Sequence, residues 1–286
     1  MKIGLVLEGG AMRGVFTAGV LDVFLDQKFQ FDRCYAVSVG SCLACSYLCA
    51  QRGRGYAVMT DYLDNKDYCS FSSLRRTGDL FGAEFLYHKI PEELYPIDNE
   101  AFHRNGTEFY SVVTDCNRGN AEYLRVSDMF SDVDKVRASA SLPFVSRMVE
   151  IDGQVYLDGG VTDPIPVQKA LSDGCDKIVV VLTRPRDYRK KKERSSFFAR
   201  LKYRKYPAFV QAMKERVSIY NRTLEALSRL EAEGKALVLA PAQALPIRRT
   251  EKDLRVLLEG YRSGCALAEE SIPQINDFLA GKTEDS

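Results

Sequence analysis

The chain reads as an α/β protein: a single domain whose mostly parallel central sheet is covered by helices on both faces, in three layers. Three features support that expectation. Residues 3–7, 177–183 and 236–240 are continuous apolar runs of strand length, the pattern of strands buried on both faces. Segments of helical periodicity alternate with them, as crossover helices between parallel strands would. Two turns of small residues, at 9–14 and 36–40, carry the chain from a strand into a helix within a few positions.

The elements follow in order. Residues 3–7 are the first strand. Residues 9–14 are a turn, and 15–26 place Phe16, Val20, Leu21 and Phe24 at helical spacing. A second strand at 35–37 precedes a small-residue helix over 39–51. Residues 109–114 alternate as a strand, and the run at 177–183 and the run at 236–240 supply two more. Helices are expected over 132–140, 167–172 (with Gly174 as its stop), 208–232, 251–261 and 266–280. No internal repeat or low-complexity linker divides residues 1–286.

Composition limits the function classes. A chain of 286 residues buries roughly three quarters of the surface its unfolded form exposes. At 45% apolar, 28% charged and net charge +1, it carries no bias that marks a nucleic-acid binder. Its start, Met1-Lys2 and then five residues before Glu8, is too short and too early interrupted for a secretory signal. No stretch reaches the about 18 apolar residues that span a bilayer. A cytoplasmic location is expected, with the eight cysteines as reduced thiols. Cys42, Cys45 and Cys49 share one helical face and read as small core residues. A metal or redox reading of Cys42 and Cys45 lacks a second pair at ligand spacing.

Two stretches stand apart. Residues 61–102 lack periodicity yet carry Tyr62, Tyr68, Phe71, Phe81, Phe85, Tyr87, Tyr95 and Phe102. An irregular insertion of this composition, about 61–107, is either a lid and pocket wall or an ordinary packed excursion. From Arg184 to Lys205, in an insertion of about 184–206, eleven basic residues face only Asp187 and Glu193, with Tyr188, Phe197, Phe198, Tyr203 and Tyr206 among or beside them. A peripheral contact with an anionic membrane surface, at the inner face, is one reading of it; a solvated loop with a few core anchors is the other.

The chemistry lies in three clusters. Gly9-Gly10-Ala11-Met12-Arg13-Gly14 offers bare backbone N–H groups, able to cradle a phosphate or hold a tetrahedral oxyanion. Ala36-Val37-Ser38-Val39-Gly40 is close to the G-x-S-x-G turn that presents a nucleophilic serine off a parallel sheet. Asp158-Gly159-Gly160 places an acid at a strand end, followed by residues that permit close backbone approach. A serine hydroxyl needs a base. The only histidines, His88 and His103, allow the Ser, acid, His order only with an acid between residues 38 and 103; either could still enter the site from its loop, but each reads as a surface or packing residue. Asp158 is therefore the candidate base, with Asp115 as a fallback that also suits a turn or helix cap. A nucleotide site at residues 9–14 is the competing reading. Ala11 breaks the dinucleotide fingerprint at its third position, and Val15-Phe16 replace the Lys and Ser/Thr of a P-loop.

Together with Ala138-Ser139-Ala140-Ser141-Leu142-Pro143-Phe144, these three clusters resemble the patatin-like phospholipases, in their bacterial branch, over most of the chain. The resemblance implies hydrolysis of lipid carboxylic esters, phospholipids or lysophospholipids foremost, through a Ser–Asp dyad that needs no cofactor. By that likeness Ser38 is the nucleophile and Asp158 its partner. Gly9, Gly10 and Ala11 supply oxyanion N–H groups, Arg13 braces their loop, and Gly14, Gly40, Gly159 and Gly160 support the turns. The chain departs from the family pattern at Ala11, Ala36, Val39 and Ser41. Those departures keep open a second reading, a lipid-binding or regulatory protein of weak or no turnover on the same fold.

Overall fold

All five residues of β1 (Ile3–Leu7) are buried, and the strand lies inside an eight-stranded sheet. The computed structural model describes residues 1–191 and 196–281. β1 pairs in parallel with β2 (Arg33–Val37) on one side and with β7 (Lys177–Val181) on the other. β2 pairs in parallel with β3 (Glu108–Asp115), and β7 with β8 (Ala236–Leu239). β4 (Ala121–Val126) and β6 (Gln154–Asp158) both run antiparallel to β3, and β5 (Val149–Ile151) antiparallel to β6.

Five strands, β3-β2-β1-β7-β8, thus form the expected parallel core, and β4, β5 and β6 add antiparallel pairings that make the sheet mixed. β4 was hidden because its first four residues are only half-buried and Arg125 is exposed, so no apolar run marks it. A tight turn closes it onto β3, with the Asp115 N–H donating to the Asn120 carbonyl at 3.0 Å. Along β1 and β7 successive side chains enter opposite cores. Leu5, Leu7, Val179 and Val181 join one; Val6, Ile178 and Val180 join the other. That alternation is the physical content of a strand buried on both faces.

Eleven α-helices are described: α1 (Gly14–Asp26), α2 (Val39–Leu48), α3 (Arg54–Thr60), α4 (Phe71–Thr77), α5 (Asn99–Asn105), α6 (Val133–Ser139), α7 (Val167–Ser172), α8 (Ser196–Lys202), α9 (Pro207–Ala232), α10 (Leu254–Glu270) and α11 (Ile272–Leu279). A ten-residue π-type helix, Phe85–Leu94, adds a wide turn. The first core packs α1 and α2 against the sheet through Phe16, Phe24, Leu43 and Leu48, with Leu257 of α10 behind them. The second packs α9 through Tyr220, Leu224 and Leu227.

Two expectations change here. Residues 61–102 are largely helical rather than irregular. Ser70 caps α4 by accepting the Ser73 N–H at 2.9 Å, and Asp98 caps α5 by accepting from Ala101 at 2.8 Å. These helices are only seven to ten residues long, too short to display a period. Likewise α10 runs through Tyr261–Ala266, where a break was expected, and the chain divides at Ser271 before Pro273 of α11. Gly264 marks a helix contact instead: a Cβ there would lie 2.1 Å from the Phe16 carbonyl of α1. Among the described residues no helix is long and apolar enough to cross a membrane.

Candidate active site

Ser38 is the single residue between β2 and α2. Its backbone sits at φ +57°, ψ −129°, a region that non-glycine residues occupy only when their surroundings impose it. Buried hydroxyls impose it here. The Ser38 N–H donates to Ser139 Oγ at 2.9 Å. Ser41 Oγ donates to the Ala36 carbonyl at 2.7 Å and stands 3.1 Å from Ser139 Oγ and 3.0 Å from Ser111 Oγ. Residues of α2, β3 and α6 thereby fasten the turn from below. Ser41, which departs from the family pattern, is one of those fasteners, and the Ala36 methyl is fully buried in the core.

The strand-to-helix turn after β1 wraps over the serine. A Cβ on Gly9 would come 2.7 Å from Ser38 Cβ, so only glycine lets the two turns approach. Ala11 holds φ +49°, the left-handed region where its methyl is strained and glycine would not be. Among the described residues, Gly9, Gly10 and Ala11 make no hydrogen bond from their backbone N–H groups, and all three line the same space as Ser38. Gly14 and Gly40 are buried in the first turns of α1 and α2, and Gly159 and Gly160 in the turn after β6.

Asp158 closes β6 opposite Val113 of β3, and its N–H donates to the Ser141 carbonyl at 2.9 Å. The 158–160 turn is tight enough for the Gly160 N–H to donate to Asp158 Oδ1 at 2.8 Å. Asp158 Oδ2 is buried without a hydrogen-bond partner. The Ser38 hydroxyl is near enough to act on this carboxylate, in an approach looser than a formed hydrogen bond. Such looseness is ordinary before substrate binds. Burial pushes the Asp158 pKa above the ordinary 3.8, while the Ser38 hydroxyl, the Gly160 N–H and the charges of Arg216 and Lys190 pull it back.

Ser38 borders two cavities. One, of about 140 Å³, is apolar; Met59, Tyr68, Phe81, Leu86, Tyr87 and Ile90 are among its walls. The aromatic stretch is therefore a pocket wall. The other, of about 100 Å³, holds Asp158, the 9–11 amides and five cations, Arg13, Arg184, Lys190, Arg216 and Arg249. His88 and His103 line neither; they face Glu92 at 3.2 Å and Asp128 at 3.4 Å. Asp115 caps the β3–β4 turn, accepting the N–H groups of Asn117 at 2.7 Å and Arg118 at 3.0 Å.

The long basic stretch divides. Residues 192–195 fall outside the described residues. Arg184 and Lys190 turn inward to the polar cavity, and Tyr188 stacks edge-on to Tyr220 of α9 at 5.8 Å. Phe198 and Leu201 of α8 are about two-thirds exposed, at 67% and 66%, beside Arg200 and Lys202.

Three residues that sequence reasoning missed hold the site together. Arg216 Nε donates to the Gly160 carbonyl at 2.9 Å, directly after the acid. Tyr220, one turn along α9, donates to Glu8 Oε1 at 2.8 Å, directly before Gly9. Glu8 also accepts the Thr183 N–H at 2.6 Å, and burial raises its pKa above the ordinary 4.5. A Glu at the end of an otherwise apolar strand was the one available signal.

The model of the family described as patatin-like phospholipase matches residues 5–171, and a domain of unknown function, DUF6363, matches residues 206–280. The uncharacterized protein YjjU of Escherichia coli is 33% identical over 194 residues, which cover 64% of this chain and 52% of its own. A probable lipid hydrolase of Invertebrate iridescent virus 6 is 23% identical over 58% of this chain and 62% of its own. Lysophospholipase NTE1 of Saccharomyces cerevisiae is 27% identical over 63% of this chain and 10% of its own. The chain thus spans about half the length of the first of these relatives. The crystal structure of VipD from Legionella pneumophila covers 94% of this chain and 67% of its own at TM-score 0.45 and 13% identity.

Proposed function

Because this chain belongs to the patatin-like phospholipase family, we propose that it is a serine hydrolase of lipid carboxylic esters that works through Ser38 and Asp158. The observation that carries this reading is the meeting of the two side chains in one cavity, with an unpartnered carboxylate oxygen beside a strained serine and three amides with no internal partner. The apolar cavity takes the acyl chain and brings the ester carbonyl against Ser38.

Ser38 Oγ attacks the carbonyl carbon, and its proton passes to Asp158 Oδ2. Negative charge collects on the carbonyl oxygen, where the N–H groups of Gly9, Gly10 and Ala11 receive it; fixed dipoles in a water-poor site act strongly on developing charge. The tetrahedral intermediate collapses, the C–O bond to the alcohol breaks, and Asp158 returns its proton to the departing oxygen. Water then attacks the acyl-enzyme, gives its proton to Asp158, and the acid leaves with Ser38 regenerated. A raised pKa suits a carboxylate for this exchange, since it shares a proton more readily than one in water. No step requires a metal or organic cofactor.

The C-terminal residues are part of the same unit in this reading. β7 and β8 continue the central sheet and α9 holds both loops, which supports residues 1–286 as one acyl-hydrolase domain. The exposed Phe198 and Leu201, set among cations, suit a peripheral contact of a cytoplasmic protein with an anionic inner membrane face.

The test is a panel of lipid esters, assayed with and without anionic vesicles, alongside a fluorophosphonate probe. The probe is expected to label Ser38, and Ser38→Ala and Asp158→Asn are each expected to abolish hydrolysis. Lipid binding without labelling or turnover would favour the regulatory alternative.

A further inference from the structure

One charged side chain stands in the wall of the apolar chamber. Arg54, the first residue of α3, lines it among apolar and aromatic neighbours and is only 9% exposed. Its Nε and Nη2 both donate to the Tyr95 carbonyl, at 3.1 and 2.8 Å, and its Nη1 donates to Ser46 Oγ at 3.0 Å. A guanidinium carries one N–H on Nε and two on each Nη, so one N–H on each Nη remains. Both acceptors are neutral, and among the described residues no carboxylate pairs with Arg54. Burial pushes its pKa down, and the groups that pull it back foremost are the Cys45, Cys49 and Cys42 thiols. Those thiols are themselves pushed up by burial and stay neutral at pH 7, so they balance no charge. A buried cation without a counter-charge is costly. A ligand that brings one into the chamber would remove that cost.

The position of Arg54 narrows the ligand. Ser38, Cys42 and Cys45 line the chamber at helical spacing, so one face of α2 leads from the nucleophile towards the guanidinium. Ser46, which Arg54 holds, lies about 12 Å along that helix from Ser38, at about 1.5 Å per residue. An extended chain advances about 1.2 Å per bond, as an extended residue does at about 3.6 Å for three bonds. An acyl group with its carbonyl at Ser38 therefore reaches Arg54 at roughly its eighth to tenth carbon. A methyl end or a methylene there leaves the cation uncompensated. A carboxylate there accepts from both Nη groups at once, the arrangement in which guanidinium and carboxylate bind most strongly.

We propose that the apolar chamber selects acyl chains ending in a carboxylate about eight to ten carbons from the ester, and that Arg54 receives that carboxylate. The placing of the ester end rests on the hydrolase reading above; the capture of a carboxylate by Arg54 does not. Half-esters of medium-length dicarboxylic acids fit this description. Oxidative cleavage of an unsaturated acyl chain at a mid-chain double bond is the class of reaction that supplies them.

The experiment compares two p-nitrophenyl esters of one chain length, the nonanoate and the half-ester of nonanedioate, in wild type, Arg54→Met and Arg54→Lys. The reading is the ratio of kcat/KM, carboxylated over plain, within each protein, so a general loss of activity or of folded enzyme cancels. Wild type is expected to favour the carboxylated ester by about tenfold or more. Arg54→Met is expected to lower that ratio roughly 100-fold, because it buries the carboxylate without a partner. Arg54→Lys keeps the charge without the fork and is expected to lower it by about tenfold at most. An unchanged ratio in Arg54→Met leaves the residue only its bonds to Tyr95 and Ser46 and overturns the proposal, as does an equal fall in both variants. Reach is checked in wild type alone. The half-ester of hexanedioate is too short to meet Arg54 and is expected to show no advantage over the hexanoate; an equal advantage at both lengths overturns the placement. Ser38→Ala supplies an arm without turnover. Monomethyl nonanedioate is expected to raise its Tm more than methyl nonanoate does, and to lose that lead when Arg54→Met is added; no lead, or a lead that survives, overturns the site. Should wild type hydrolyse none of the esters and Ser38 resist the fluorophosphonate, the hydrolase reading has failed, and these melts alone decide whether Arg54 captures a carboxylate.

Discussion

The two cavities that meet at Ser38 differ in chemistry and in origin. Every wall of the apolar one comes from residues 11–142, whereas the polar one borrows Arg184, Tyr188, Lys190, Arg216, Tyr220 and Arg249 from the later part of the chain. The family-matched half therefore supplies Ser38, Asp158 and the apolar chamber; the rest supplies four of the five cations.

The largest expected effect falls where the cavities join. Ser38→Ala or Asp158→Asn should lower kcat on any ester by on the order of 10⁴-fold or more, measured by release of fatty acid. Asp158→Asn should also raise Tm at neutral pH by about 2–4 °C for each kcal/mol relieved. Asp158 has a folded pKa above its unfolded value of 3.8, so the folded state favours its protonated form. That stabilisation is present below pH 3.8 and lost as pH rises through the folded pKa. The gain from asparagine should accordingly fade as pH falls towards 3.8, and thermal melts across that range check the sign. Catalysis should lose its base over the same descent, at a pH higher than an exposed aspartate would give.

Cys42→Phe probes the apolar side alone. Cys42 lines that chamber, with its Sγ 3.9 Å from the Tyr87 hydroxyl. The added ring should cut kcat/KM for palmitoyl esters roughly 10- to 100-fold while butyryl esters lose far less. Equal losses for both chain lengths would show that the chamber does not receive the chain. On the polar side, Tyr220→Phe removes a hydrogen bond to Glu8 that should be worth about 1.5–3 kcal/mol. Denaturant melts should register that loss, and kcat should fall more than KM rises if the bond positions the 9–11 amides. The smallest effect is expected for Ala11→Gly. It relieves a φ of +49° and should add about 1 kcal/mol of stability, read as a higher denaturation midpoint.

What the sequence revealed follows from range. β1, β7 and β8 announce themselves because strands buried on both faces need unbroken apolar runs. Ser38 and Asp158 are visible because tight turns demand small neighbours at fixed places. The brace from α9 is not: Tyr220 and Glu8 lie 212 positions apart, and a polar residue on a helix looks the same whether it meets water or a buried acid. The inward turn of Arg184 and Lys190 was hidden for a like reason, since a run of cations has no periodicity to show which of them face in. The break expected between residues 261 and 266 is absent because α10 runs through it, with Gly264 admitting α1 at close range, a contact that nothing in one dimension displays.

Arg216 and Tyr220 stand one turn apart on α9, with one gripping the loop after Asp158 and the other the loop before Gly9. Residues 5–171 are consequently not a self-sufficient cassette. A chimaera that grafted a foreign C-terminal half onto them would have to bring its own arginine and tyrosine at that spacing, or the serine and the aspartate would drift out of alignment while each remained present.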